Sequence, residues 1–187
     1  MKQAMWKKWA WPSLLVCPLI VLYSYSSPST VTMEDSGIFL VSSFFLGIPQ
    51  PTGYPFYTIL AWAFSNIPIG SITSRVVLLN SLLGAFSCLL VYFIVFRLTN
   101  DKPAALISAI LLGLSTSFWH QAIVAEVYML NAFLFLLVLY LCLELRRSYN
   151  RKMLAFLSIA YGLGLANHFP LLILASGALP VLLWKIK

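Results

Sequence analysis

FYTILAWAFSNIPI, residues 56–69, is the stretch on which the reading of the whole chain turns. It is apolar but short, and Asn66 and Pro68 interrupt it, whereas a helix needs about 20 mostly apolar residues to cross a bilayer. Its fate decides the sidedness of everything after it. If it does not cross, Lys2, Lys7, Lys8, Arg97, Lys102, Arg146, Arg147, Arg151, Lys152, Lys185 and Lys187 share one side. Only Arg75 then remains for the other. If it does cross, the cluster from Arg146 to Lys152 moves outside, which the preference for Lys and Arg in cytoplasmic loops opposes. Residues 36–69 are therefore expected to be an outer-face excursion, two short helices at the membrane interface.

The composition supports such a reading. Of 187 residues, 61% are hydrophobic and 9% charged, and mean hydropathy is +0.91. A soluble domain carries about 25% charged residues, so this chain lacks the polar surface to face water all round. The expected class is all-α, a polytopic transmembrane helical bundle of about six spans. The expected spans are 9–27, 72–96, 103–119, 127–145, 153–167 and 169–184. The net charge of +7 is then a topology signal rather than a nucleic-acid footprint, and no nucleic-acid partner is expected. Lys2, Lys7 and Lys8 ahead of an apolar run resemble a secretory signal, but that run exceeds the usual 7–15 residues or so and reads as an uncleaved first span with a cytoplasmic N-terminus. Trp6, Trp9, Trp11, Trp119 and Trp184 fall at span ends, as an aromatic belt requires. Cys17, Cys88 and Cys142 sit in separate apolar runs and form neither a disulfide framework nor a metal motif.

With this topology the outer boundary collects Glu34, Asp35, Gln50, Tyr54, Tyr57, Arg75, His120, Gln121, Glu126, Tyr128, Asn167 and His168. Both histidines of the chain and three of its five acids are among them. Ionisable groups at membrane depth are costly and tend to mark function. Asp101 and Glu144 adjoin the basic groups of the other side and are expected to pair with them. Each outer residue also has a structural reading. Asp35 suits a helix N-cap that accepts a backbone N–H from the Ser36-Gly37-Ile38 turn, or a general base at the water–lipid boundary. Glu34 is a solvated neighbour, or a like charge that raises the proton affinity of Asp35. Pro49, Pro51, Gly53 and Pro55 make a rigid turn that also aims Tyr54 and Tyr57, in directions suited to stacking on a sugar ring. Glu126 needs water, a cation or a partner, with His120 and Arg75 as candidates. His168 fits a simple turn with Asn167 and Pro170.

Taken in order, EDSGIFLVSSFFLGIPQPTGYPFY, RVVLLNSLLGAF, FWHQAIVAEVYMLN and GLGLANHFPLL resemble multi-spanning proteins related to the protein O-mannosyltransferases, long catalogued as a membrane domain of unknown function. That group belongs to the GT-C superfamily of glycosyltransferases, which use lipid-linked sugars. The most specific pieces are D-S-G, P-x-x-G-Y-P-x-Y, A-E-V-Y-x-L-N and N-H. The resemblance covers nearly the whole chain as one module, residues 1–187, similar to the N-terminal part of the family's catalytic unit. Relatives carry an acid where this chain has Ile38 and a His where it has Gln50, and they run longer. A C-terminal partner or missing segment is expected to complete the module.

The resemblance implies inverting transfer of a sugar from a polyprenyl-phosphate donor to the hydroxyl of a protein or glycan acceptor. Asp35 takes the place of the first-loop base or metal-contacting acid, and Glu126 that of a second acid. The substrate-binding candidates are Glu34, Tyr54, Tyr57, Arg75, His120 and His168, with Arg75 and His168 near the donor phosphate. A divalent cation is a candidate cofactor, with Asp35 and Glu126 as its candidate ligands. The expected site faces the outer or luminal side, in a bacterial inner membrane by preference, with the endoplasmic reticulum as the alternative. The competing readings are a transporter, whose polar residues would gather near the bilayer midplane, and a non-catalytic assembly subunit or inactive fragment.

Overall fold

The computed structural model describes residues 3–32, 35–51 and 53–176. In these residues the chain forms helices and no strand: α1 (Gln3–Ser26), α2 (Ser36–Phe45), α3 (Pro55–Ser65), α4 (Ile72–Thr99), α5 (Lys102–Leu114), α6 (Thr116–Ala122), α7 (Tyr128–Arg147) and α8 (Arg151–Ser176). The central element is α4, which packs against α1, α3, α5, α6 and α7, while α8 packs on α7.

Local chemistry explains the boundaries. Ser71 and Ser74 close a reciprocal capping box at the start of α4, with Ser71 Oγ accepting from Ser74 N at 3.2 Å and Ser74 Oγ from Ser71 N at 3.0 Å. This satisfies two backbone donors that a helix start leaves without partners. The helix ends where Asn100 turns left-handed at φ 56°. Asp101 then caps α5, accepting from Ala104 N at 3.2 Å, so it serves the backbone rather than a neighbouring cation. The other acid of that end does pair: Glu144 of α7 bonds Arg97 of α4.

Residues 36–69 hold α2 and α3. Each covers about 15 Å at 1.5 Å per residue, half the hydrocarbon thickness. The left-handed Leu46 ends α2, and Gly47 N reaches back to Ser42 O at 2.8 Å, the pattern that satisfies terminal carbonyls.

The count of about six spans is not supported. Among the described residues, Ile72–Thr99 and Tyr128–Arg147 are long and apolar enough to cross a membrane, and a third span results if α5 and α6 are taken together. Two physical causes reduce the count. The expected third span bends by 66° between α5 and α6. Ser115 is extended there, and its hydroxyl bonds Leu112 O at 2.8 Å, one of the local bonds by which serine competes with helix continuation. The expected fifth and sixth spans are the two arms of α8, broken at His168 (φ −150°, ψ 91°). Pro170 removes a helix donor and disfavours helical backbone before it. The arms fold back on each other, because Tyr161 OH contacts Ser176 Oγ, whereas a straight helix would separate these residues by about 22 Å. The remainder of the sixth expected span, beyond residue 176, lies outside the described residues.

Two packed clusters hold the bundle together. The larger includes Tyr23, Tyr57, Val76, Val77, Leu83, Cys88, Met129 and Leu130. The smaller joins Val138, Leu141, Cys142 and Leu145 of α7 to Leu157, Ala160 and Leu172 of α8. Gly84 permits close approach of α4 to three neighbours, since a Cβ there would stand 3.1 Å from Ala122 Cβ, 3.2 Å from Tyr23 Cε2 and 3.5 Å from Met129 Sδ. In a bilayer, where lipid tails are as apolar as the side chains, small residues of this kind are what let helices associate.

Candidate functional site

The linker Ile123–Val127 joins α6 to α7 and carries Glu126, which is 3% exposed. A carboxylate so buried needs its surroundings organised around it. Asn80, at the middle of an apolar turn of α4, donates through Nδ2 to Glu126 O at 2.9 Å and also to Val124 O. Ser81 donates to Ala122 O at 3.2 Å. From the other side, Asn167 Nδ2 of α8 reaches Val127 O at 3.3 Å. Two helices thus tie down the segment that carries the acid.

An aromatic group lies at the same end. Gly53 (φ 83°) and Tyr54 (φ 39°) are both left-handed, just before Pro55 opens α3. For an aromatic residue this conformation is strained, by about 1–3 kcal/mol, and strained residues cluster at functional sites. The turn lays the half-buried Tyr54 ring parallel to His168, at a centroid distance of 5.9 Å and an interplanar angle of 5°. Tyr128 meets His168 edge-on at 5.8 Å. Phe39 of α2 touches both Tyr54, at 5.5 Å, and Tyr57, at 5.6 Å. Four elements therefore meet here: α2, the 53–54 turn with α3, the N-terminus of α7, and the break in α8.

Tyr57 is fully buried. Burial pushes its phenol well above the ordinary tyrosine value; the Asn80 side chain moderates the shift and the nearby charge of Glu126 adds to it. Its hydroxyl has no hydrogen-bond partner of acceptable geometry, and neither do Asn80 Oδ1, Asn167 Oδ1 and His168 Nδ1. So many unpartnered buried polar atoms at one place are unusual in a folded protein and call for an explanation.

The remaining expected site residues fall as follows. Asp35 stands exposed at the N-terminus of α2, one turn before Phe39, whose N–H bonds Asp35 O at 3.1 Å. Its carboxylate makes no capping bond, because its backbone (φ −83°, ψ 1°) is not in the extended region from which a cap side chain reaches forward. Thr32 and Ser36 instead hold the helix start through two mutual bonds of 2.7 and 2.8 Å. Arg75 lies elsewhere, with its guanidinium donating at 2.8 Å to each of Ser65 O, Ile69 O and Gly70 O. It fastens the α3–α4 turn beside a small cleft that also includes Ser24, Ser27 and Leu78. His120 is exposed on α6. Glu34 lies outside the described residues. Among those described, no three His, Cys, Asp or Glu side chains gather as a metal-binding group.

Sequence reasoning passed over Phe39 and Asn80. The signal for Asn80 was available: an amide inside VVLLNSLL is costly in an apolar helix unless it has partners. Phe39 carried no signal, since one phenylalanine in an apolar helix looks like any other.

Residues 35–187 match the family described as Protein O-mannosyl-transferase TMEM260 N-terminal domain. Protein O-mannosyl-transferase TMEM260 of Mus musculus is 28% identical over 170 residues, which cover 88% of this chain and 24% of that protein. Protein O-mannosyl-transferase tmem260 of Dictyostelium discoideum is 28% identical over 121 residues, 63% of this chain and 15% of that protein. The chain thus spans a quarter or less of these relatives. No solved structure matches it.

Proposed function

This chain belongs to the Protein O-mannosyl-transferase TMEM260 N-terminal domain family, and from that premise we propose that it forms part of a membrane glycosyltransferase. The enzyme moves a sugar from a polyprenyl-phosphate donor to an acceptor hydroxyl of a protein. The observation that carries this reading is the convergence of buried Glu126 with Tyr54, Tyr57, Tyr128 and His168 at one end of the bundle. The Arg97–Glu144 pair and the Arg146–Lys152 cluster occupy the opposite end of α4 and α7.

By the positive-inside preference, the basic end faces the cytoplasm and the aromatic end faces outward. Residues 36–69 then lie at the outer interface. A polyprenyl donor keeps its tail in lipid, so its phosphate and sugar present themselves at this depth. The acceptor oxygen attacks the anomeric carbon, its proton passes to the Asp35 carboxylate, and the bond from that carbon to the phosphate oxygen breaks with its electron pair leaving on the lipid phosphate. A base must come within about 2.6–3.2 Å of the proton it takes, directly or through one water. Glu126 acts as the second acid, and the Tyr54, Tyr128 and His168 rings form a wall for the sugar. Crowding of polar groups at one end, rather than at mid-depth, favours this reading over a transporter.

The test replaces Asp35 with Asn in the longest natural form of the protein and measures sugar transfer from a polyprenyl-phosphate donor at matched expression. Loss of a general base predicts a fall of about 100-fold or more. Unchanged turnover would remove Asp35 from the base role.

A further inference from the structure

We propose that Asn80 is a positioning residue for Glu126, clamping the segment that carries this carboxylate in a reactive setting; this rests on the assignment of Glu126 to the transfer site. Asn80 is fully buried and projects from the first third of α4, about two turns in from Ile72. Its single amide nitrogen donates to the carbonyls of both Val124 and Glu126, so both of its N–H bonds go to one short stretch of linker. That stretch is not helical: Ile123 is the last cap of α6, and Val127 precedes α7. Within it the backbone adds the Glu126 N to Val124 O bond, at 3.1 Å, while Ile123 N to His120 O and Asn131 N to Val127 O tie its two ends to the flanking helices. Asn167 holds the far end of the linker at Val127 O, but without Asn80 the 124–126 peptides have freedom to rotate, and with them the direction of the Glu126 side chain.

The anchor comes from the most constrained place in the fold. Around Asn80, α4 is buried at Val76, Val77, Leu79, Ser81 and Leu83. A rigid helix is a better support for a site than a loop. A packing role alone would be served by leucine, which needs no partner. An amide at this position costs desolvation, and two donated bonds to the Glu126 segment offset it. Asn80 Oδ1 and the Tyr57 hydroxyl are each buried without a hydrogen-bond partner, and the Asn80 side chain stands close enough to Tyr57 to act on its phenol. The same amide therefore touches the linker on one edge and the aromatic group on the other.

The experiment is a double-mutant cycle in the longest natural form of the protein, reading kcat and KM for polyprenyl-phosphate sugar. Asn80→Ala is expected to lower kcat about tenfold or more, as misplacement of a catalytic group does, with KM for the donor within twofold. In a Glu126→Gln background, adding Asn80→Ala should cost less than about twofold, because residues that act through one another are not additive. Asn80→Ser keeps one donor of the two and should fall between; it carries the cycle should Asn80→Ala not accumulate. Ser81→Ala is the matched control. It also removes a buried tether, to Ala122 O, yet should change kcat by less than about twofold in either background. Equal losses from Asn80→Ala or Asn80→Ser in both backgrounds, or a change in KM alone, would overturn the clamp while leaving Glu126 in place. Full activity of Glu126→Gln would instead remove Glu126 from the site, and the clamp with it.

Discussion

Two buried tyrosines offer a sharp test of the packing around the site. Tyr23 and Tyr57 are both fully buried, and the same substitution to phenylalanine should act on them with opposite sign. The Tyr23 hydroxyl donates to Gly113 O at 2.7 Å across the α1–α5 contact. Tyr23→Phe strands that carbonyl, at a cost of about 1–3 kcal/mol. The Tyr57 hydroxyl has no partner, so Tyr57→Phe relieves a desolvation cost of about 1–3 kcal/mol. The small void left by the oxygen returns about 1 kcal/mol of that. Tyr57→Phe should thus be neutral to about 2 kcal/mol more stable. Unfolding in detergent followed by tryptophan fluorescence, for which the chain carries six reporters, measures both variants under one condition. The two should differ by about 1–5 kcal/mol, the sum of the opposed effects. If Tyr57→Phe destabilises by more than about 1 kcal/mol, the hydroxyl has an internal partner and the account of unsatisfied polar atoms at the site is wrong.

Three further outcomes are expected. Tyr57 holds its proton more tightly in the folded chain than in the unfolded one, so its contribution to stability is complete below the ordinary value of 10.0 and is lost as pH rises above it; unfolding titrations should show a shallower alkaline decline for Tyr57→Phe than for the parent. Gly164→Ala should destabilise by about 1–3 kcal/mol through overpacking, because Leu172 of the returning arm occupies the place of its Cβ, whereas Gly162→Ala, with open space around it, should be neutral or up to about 1 kcal/mol stabilising. Equal effects on denaturation midpoint would refute the fold-back of α8. Arg75→Lys should loosen the α3–α4 turn, because an ammonium lacks the spread of a guanidinium needed to reach Ser65, Ile69 and Gly70 carbonyls together; limited proteolysis near residues 66–70 should accelerate, and an unchanged cleavage rate would count against the three-carbonyl staple.

The sequence alone pointed to an all-helical, membrane-associated chain. A chain with 9% charge and 61% hydrophobic residues lacks the polar surface of an ordinary soluble domain, and runs of apolar residues without turn signals read directly as helices. Tyr54 and His168 were legible as candidates, because polar residues among apolar runs stand out. Their contact was not, since it depends on a left-handed turn at Tyr54 and a break at His168, each decided by how the chain packs.

Helix continuity was equally a matter for the tertiary structure. Hydropathy counts apolar residues but is blind to a 66° bend at Ser115 or a reversal at His168, because the side chains on either side of a break are as apolar as those in a straight helix. The contacts of Arg75 were decided the same way: as a sequence symbol it is a charge near a boundary, and only folding brought three carbonyls within reach of its fork. Which residues are apolar is a local property that sequence carries in full. Which polar atom meets which depends on backbone directions set many residues away, as between Asn80 and the Glu126 linker.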